Sequence, residues 1–300
     1  MPFPKIEVED GNSYVILASG HRMPVIGFGT SGIRDQATMN EAIKHALLYG
    51  YRLFDTAHVY GNEDLLGKAL KEILPTVNVK REDIFITTKT PIRVDDTAEN
   101  MKNCVEQSLR DLQIDYIDLV LLHYPRELSE RGSDLNPENP KIRARAWEAL
   151  EGFVSNSMVR SIGVSNFEVY HLLQLSAHSQ IACSVNQCEF HPHYTQVQLR
   201  EYCNQRGIFF QAFGSLGHGN RALFDDPLIC KMASDHGLST QAFLLSFALS
   251  LKVGVIPKST NKEHIMRNIE KHENISGLDV LLNGDRRSTY VKKTTPWRCL

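Results

Sequence analysis

From Pro24 to about Asn268 short aliphatic runs alternate with longer amphipathic stretches, so two periods of hydrophobicity take turns along the chain. The short runs fall at 24–29, 52–55, 84–88, 117–122, 160–164, 183–187, 208–213 and 253–257, each rich in β-branched or aliphatic residues and of strand length. Between them apolar residues recur at spacings of three and four. This predicts helices over Thr38 to Leu48, Glu63 to Ile73, Glu99 to Leu112, Arg143 to Val154 and Val197 to Arg206. Strands separated by helices must run parallel, and eight of them favour closure into a (β/α)8 TIM barrel over an open sheet. A β-hairpin is expected ahead of the barrel, around Gly20 and His21. The polar stretch from Arg126 to Lys141, with Gly132, Pro137 and Pro140, predicts a surface loop after the fourth strand, and Gly214 to Pro227 a similar one after the seventh. Residues 270–300 lack the rhythm and read as a C-terminal tail of unassigned path.

Composition narrows the function more than the fold. Three hundred residues, 42% hydrophobic and 23% charged, suit a single domain over residues 1–300, since α/β barrels commonly need about 250. With 33 basic against 35 acidic side chains and no run of either sign, nothing recommends a nucleic-acid or anionic-membrane partner. The opening segment MPFPKIEVEDGNSY lacks a signal-peptide core, and no apolar stretch approaches the roughly 18 residues of a membrane span, so a cytoplasmic protein is expected. Cys104, Cys183, Cys188, Cys203, Cys230 and Cys299 show no CxxC or zinc-type spacing and read as reduced thiols. HxxxH, HExxH and clustered carboxylates are missing, so no metal is expected. Asn274-Ile275-Ser276 matches a glycosylation acceptor only by accident on this reading.

In a barrel of this kind the working residues sit at the C-terminal ends of the strands. There the chain places Asp55 and, shortly after, Tyr60 behind the second strand, Lys89 at the end of the third and His123 at the end of the fourth. Each has a commonplace explanation alone: a cap, a packed ring, a solvated cation, a structural imidazole. Together they suggest more, because an ammonium at the end of an apolar strand needs a counter-ion, and Asp55 is the nearest candidate.

The segments MPVIGFGT, GYRLFDTAHVYGNE, IFITTK, DYIDLVLLHYP, VRSIGVSNF, NQCEFHP and VIPKS, in this order between Met23 and Asn268, resemble the aldo-keto reductase superfamily, close to its aldose and aldehyde reductase branch. The resemblance implies reduction of an aldehyde or ketone, with Tyr60 as general acid assisted by Lys89, Asp55 and His123. The chemistry requires those types: a neighbouring ammonium favours tyrosinate and so makes a phenol a better acid, the carboxylate holds the ammonium, and the imidazole orients the carbonyl oxygen. No GxGxxG follows any strand, so a Rossmann site is not supported.

The resemblance further implies NADPH, with NADH as an alternative, lying across the barrel mouth. Ser165, Asn166 and Gln187 would bond its carboxamide and Phe213 would stack on its ring. Gly29, Thr30, Asp55, Gly214 and Leu216 would complete this half of the site. Lys258, Ser259, Thr260 and Asn261, followed by His264 and Asn268, would take the 2′-phosphate end. At that end the family's arginine is replaced by His264, which weakens the NADPH preference, with Arg267 as the candidate substitute. A second departure concerns the loop that closes over the pyrophosphate in this branch, latched by an acid against basic partners. Asn220 and Gly32 stand at the matching positions, so the latch is expected to be absent. The substrate pocket maps to Ser31, Tyr60, Pro91, Arg93, His123, Tyr124, Arg126 and Leu223, a wide and polar mouth. Arg93 and Arg126 tilt the expected substrates toward polar or acidic carbonyls, such as sugar-derived aldehydes and oxo-acids. Trp147 is read as packing, while Trp297 and Tyr290 are the tail's candidates for returning over the mouth.

A small-molecule substrate and a monomer are expected. The alternatives are a non-catalytic, moonlighting binding or structural protein on the same scaffold, a metal-dependent barrel enzyme, and a steroid double-bond reductase. The resemblance disfavours the last, because that branch carries glutamate where His123 stands.

Overall fold

The computed structural model describes residues 4–9, 12–93, 95, 97–127, 136–270, 272 and 274–282. An antiparallel sheet opens the chain: β1 (Lys5–Glu9), β2 (Asn12–Ile16) and β3 (Arg22–Pro24), the last two turning through the predicted hairpin around Gly20. Eight parallel strands follow in chain order around one curled sheet. They are β4 (Phe28–Gly29), β5 (Leu53–Asp55), β6 (Phe85–Ile92), β7 (Ile117–Glu127), β8 (Val159–Ser165), β9 (Val185–Glu189), β10 (Phe209–Phe213) and β11 (Gly254–Val255). A parallel bridge from Ile26 to Val255, with Gly27 N–H donating to Val255 O at 2.8 Å, joins the two edges and closes the barrel.

The helices are α1 (Gln36–Leu48), α2 (Glu63–Ile73), α3 (Thr97–Leu112), α4 (Asn139–Ser155), α5 (Val169–Ser176), α6 (Val197–Gln205), α7 (Arg221–Phe224), α8 (Pro227–Asp235), α9 (Thr240–Ser250), α10 (Lys262–Ile269) and α11 (Asp279–Leu282). Helix α2 shows why they form where they do. Leu66, Ala69, Leu70 and Ile73 share one buried face at helical spacing, while Glu63 and Asp64 put negative charge on the first turn. Asp226 caps α8 by accepting from the Leu228 and Ile229 amides, with Pro227 at the first turn. Trp147 is buried in α4, as its apolar spacing implies, with its indole N–H donating to Ile181 O at 3.3 Å.

The structure differs from the sequence reading at several boundaries. The run at 24–29 divides between β3 and β4. β6 and β7 overrun their apolar cores and pair as far as Ile92 with Glu127, across a register irregularity between Thr90 and Ile92. This places Pro91 and Arg126 inside strands, where a loop began on the sequence pattern. The segment after β10 contains α7, whose N-cap Asn220 accepts from Ala222 N.

Inward-facing positions explain both the core and the site. Leu53, Phe85, Leu119, Val185 and Phe209 form an apolar cluster inside the barrel with Val15, Leu17 and Met23 of the N-terminal sheet. Burying each such side chain is worth about 1.5–3 kcal/mol. Successive side chains on a strand alternate in direction, so positions two and four residues further on share the same face. These are Asp55, Lys89, His123, Gln187 with Glu189, and Phe213. The interior is therefore packed with hydrocarbon at one end and polar at the other. The larger core lies outside, between strands and helices, and includes Phe28, Phe54, Ile86, Trp147 and Phe243.

Candidate active site

The polar end of the barrel centres on Lys89. Its ammonium, 1% exposed, donates to Asp55 Oδ1 at 2.5 Å, to Thr56 O at 2.9 Å and to the Tyr60 hydroxyl at 3.4 Å. Burial alone would lower the Lys89 pKa, but the Asp55 charge and then Tyr60 outweigh it and hold the group charged above its usual value. The other Asp55 oxygen accepts from Gln187 Nε2 at 2.8 Å, so both carboxylate oxygens are used. Tyr60 ends a short 3₁₀ turn (His58–Tyr60) that closes on Gly61 in the left-handed region, φ 62°, and its ring remains partly exposed.

His123 meets Tyr60 edge-on at 5.9 Å between ring centroids and stacks on Tyr124 at 4.9 Å. Burial, reinforced by the Lys89 charge, lowers the His123 pKa to about 3, so the ring is neutral. Its Nδ1 is buried and makes no hydrogen bond among the described residues. Burial, then Tyr60 and Glu189, push the Tyr124 phenol up to about 12.

Asp55, Tyr60 and His123 all border a cavity of 790 Å³. Ser31 and Tyr124 border it on the same side. Across the mouth lie Ser165, Asn166, Gln187 and Phe213 at the ends of β8, β9 and β10, followed by Gly214 and Leu216. Ser165 Oγ donates to Gln187 O at 2.7 Å, and Asn166 Nδ2 donates to His123 O at 3.0 Å, which ties the two halves together. Gly29, Lys258, Ser259, His264 and Asn268 border the far end.

Eight of the expected positions do not border this cavity, among them Lys89, which reaches it only through Tyr60 and Asp55. Thr30 is fully buried, and its hydroxyl donates to Asp55 O at 3.0 Å. Asn261 caps α10 by accepting from His264 N at 3.1 Å, and Thr260 is exposed beside it. Leu223 is buried beneath Gly217, where a Cβ would come within 2.7 Å of it. Pro91 is buried in β6, Arg93 is exposed just beyond it, and Arg126 is buried in β7, because those strands run past their apolar cores. Arg267 also turns away; it is exposed and lies 3.9 Å from Glu263.

The sequence reading missed Glu189, Tyr194, Gln196, His218 and Gln241, all of which border the cavity. Glu189 was within reach of the strand-end rule, since it continues the inward register of Val185 and Gln187. It is 2% exposed, with Oε1 at 3.2 Å from His191 Nε2. The loop residues offered no comparable signal. Tyr290 and Trp297 lie outside the described residues; among the described residues there is no metal-type cluster and no helix long and apolar enough to cross a membrane.

A dinucleotide fits this surface on its donor set. Gly29 is packed so closely that a Cβ would sit 2.9 Å from Ile256 O, which leaves bare backbone at the far end. Ser215 Oγ is buried at the cavity with no hydrogen-bond partner among the described residues. Phe213 supplies an aromatic face and Lys258 a cation at opposite ends.

A family model described as the aldo/keto reductase family matches residues 25–276. Aldo-keto reductase family 1 member A1 of Mus musculus is 35% identical over 275 residues, covering 86% of this chain and 84% of that protein. Glyoxal reductase of Bacillus subtilis (strain 168) is 36% identical over 279 residues, covering 91% and 94%. Among solved structures, the aldose reductase of Schistosoma japonicum superposes with a TM-score of 0.79 at 29% identity, covering 91% of this chain and 92% of that one.

Proposed function

The chain belongs to the aldo/keto reductase family, and from that premise we propose that it is an oxidoreductase that uses NADPH, with NADH as a second choice, to reduce polar aldehydes or ketones. The observation that carries this reading is the buried Lys89 ammonium, bonded to Asp55 and within 3.4 Å of a phenol that opens onto the cavity. Relatives named glyoxal reductase and aldose reductase support a carbonyl substrate.

A bound reduced nicotinamide supplies the hydride. Tyr60 donates the proton to the carbonyl oxygen, a positioned transfer typically worth about 10²- to 10⁴-fold. Lys89 stabilises the tyrosinate that remains, and Asp55 keeps Lys89 charged and fixed. Neutral His123 offers a ring N–H to the same carbonyl oxygen without competing as an acid. Ser165, Asn166 and Gln187 would hold the carboxamide, Phe213 would offer its face to the ring, and Lys258, Ser259 and His264 would receive the phosphate end. Because Arg93 and Arg126 do not border the cavity, the acidic half of the substrate expectation loses its support. Ser31, Tyr124 and Glu189 favour hydroxylated, uncharged carbonyls such as sugar-derived aldehydes.

The test is loss of the reduced cofactor's near-ultraviolet absorbance across a panel of sugar aldehydes, oxo-acids, aromatic aldehydes and steroids, run with NADPH and NADH. Tyr60→Phe should lower turnover by about 10²-fold or more while cofactor binding persists. Full turnover in that variant, or no binding of either cofactor by the parent chain, would end the reading.

A further inference from the structure

One charged side chain on the cavity takes no part in the proton transfer. Val185, Gln187 and Glu189 point the same way from β9, and Gln187 Nε2 donates to Asp55 Oδ2 at 2.8 Å. Glu189 therefore lies one step nearer the mouth on the same inward face, where it borders the cavity. It is 2% exposed and held at both ends. Its backbone O accepts from Gln196 Nε2 at 2.6 Å, and its Oε1 stands 3.2 Å from Nε2 of the buried His191. Beside it Gly214 adopts the left-handed region, φ 64°, and a Cβ there would come within 3.6 Å of Glu189 Cγ. The second carboxylate oxygen, Oε2, is buried as well, yet no hydrogen bond reaches it among the described residues.

From this geometry we propose that Glu189 is a specificity-determining residue: its Oε2 accepts a hydrogen bond from a hydroxyl group of the carbonyl substrate. Hydroxylated carbonyls are thereby selected over their deoxy counterparts, and carboxylate-bearing ones are turned away. The inference rests on the reductase reading above and adds to it the group that does the selecting. An ionised carboxylate can only accept, so its partner must be a donor. A substrate hydroxyl that displaces water from this oxygen keeps the bond, whereas a methyl or methylene group in the same place leaves a buried acceptor unpaired. Among the described residues on the cavity, Lys258 is the one lysine or arginine, and it lies at the far end with Ser259 and His264. Glu189 therefore has no ammonium or guanidinium beside it, and a substrate carboxylate would meet its charge unshielded. The same charge makes it a poor neighbour for a cofactor pyrophosphate, which leaves the substrate as its partner.

The experiment measures kcat/KM of the full chain with NADPH for glyceraldehyde, propanal and glyoxylate, which present hydroxyls, hydrocarbon and a carboxylate beside the aldehyde. The parent chain is expected to favour glyceraldehyde over propanal by about 10- to 100-fold, the range for one hydrogen bond to a charged group. In Glu189→Gln the neutral amide is a weaker acceptor and repels no anion. Relative to propanal, glyceraldehyde should lose about tenfold in that variant and glyoxylate should gain about tenfold. General loosening of the site would move both ratios in the same direction, so their divergence is the signature. Equal kcat/KM for glyceraldehyde and propanal in the parent chain overturns the inference and leaves the reductase reading standing, even if Glu189→Gln fails to fold. A folded variant with both ratios unchanged, or with only its NADPH dissociation constant raised, overturns it as well. No turnover of any carbonyl with either cofactor would overturn the reading and the inference together.

Discussion

The Lys89 ammonium and the Tyr60 hydroxyl stand 3.4 Å apart at the polar end of a barrel whose other end is filled with hydrocarbon. Nothing flexible links them: Lys89 projects from the middle of β6 and Tyr60 from a tight turn, and Asp55 fixes the ammonium between them. Removing Lys89 therefore strands a carboxylate that is 2% exposed. Lys89→Met is expected to cost about 3–5 kcal/mol of stability, since an uncompensated buried charge is expensive. Adding Asp55→Asn to it should cost about 1–3 kcal/mol less than the sum of the two single changes. Urea denaturation of the three variants checks this, and simple additivity would mean the ion pair is not the coupling unit.

His123 gives the site a signature in acid. Its folded pKa of about 3 lies below the unfolded value of 6.5, so the unfolded chain takes up a proton first as pH falls below 6.5. Its contribution is present at neutral pH and is lost on acidification, by about 2 kcal/mol near pH 5. In His123→Gln the stability difference between about pH 7 and pH 5 should shrink by that amount, measured by denaturant titration. An unchanged difference would mean that the native ring is already protonated.

The strand-end rule made Asp55, Lys89 and His123 legible because apolar residues two or four positions earlier announce the inward register: Leu53, Phe85 and Leu121. It failed where a strand outlasts its hydrophobic run. Arg126 is polar and follows Pro125, so it reads as loop, yet backbone pairing between β6 and β7 carries the ladder past it. Pairing of this kind is a property of two chain segments together and leaves no mark on either alone. Leu223 and His218 fall in a loop whose course depends on left-handed residues at His218 and Gly219, which hydrophobic periodicity does not register. The split of the first predicted strand has a similar cause, since Arg22–Pro24 pairs with the N-terminal sheet.

His264 occupies the first turn of α10, where the helix amides already favour an anion, and is exposed at the cavity. Replacing it with arginine adds a permanent, bidentate charge for the 2′-phosphate. His264→Arg is expected to tighten NADPH binding by about tenfold, or 1.4 kcal/mol, and to leave NADH binding nearly unchanged. Quenching of protein fluorescence by each cofactor measures both constants without turnover. Equal tightening for the two cofactors would place the 2′-phosphate elsewhere.

Cofactor exchange should be fast, for a reason built into the loop after β10. Asn220 spends its side-chain oxygen on the Ala222 amide at 2.7 Å, capping its own short helix. Gly32, at the other expected half of a latch, has no side chain and only open space around its Cα. A loop without a charged clasp opens more readily, and opening limits turnover in many enzymes that close over their ligands. Release of NADPH, followed by stopped-flow fluorescence, is therefore expected to be at least about tenfold faster than kcat, with the chemical step limiting. In that case a deuterated nicotinamide should slow kcat itself. Release as slow as steady-state turnover, with no isotope effect on kcat, would mean that some other contact performs the clasp.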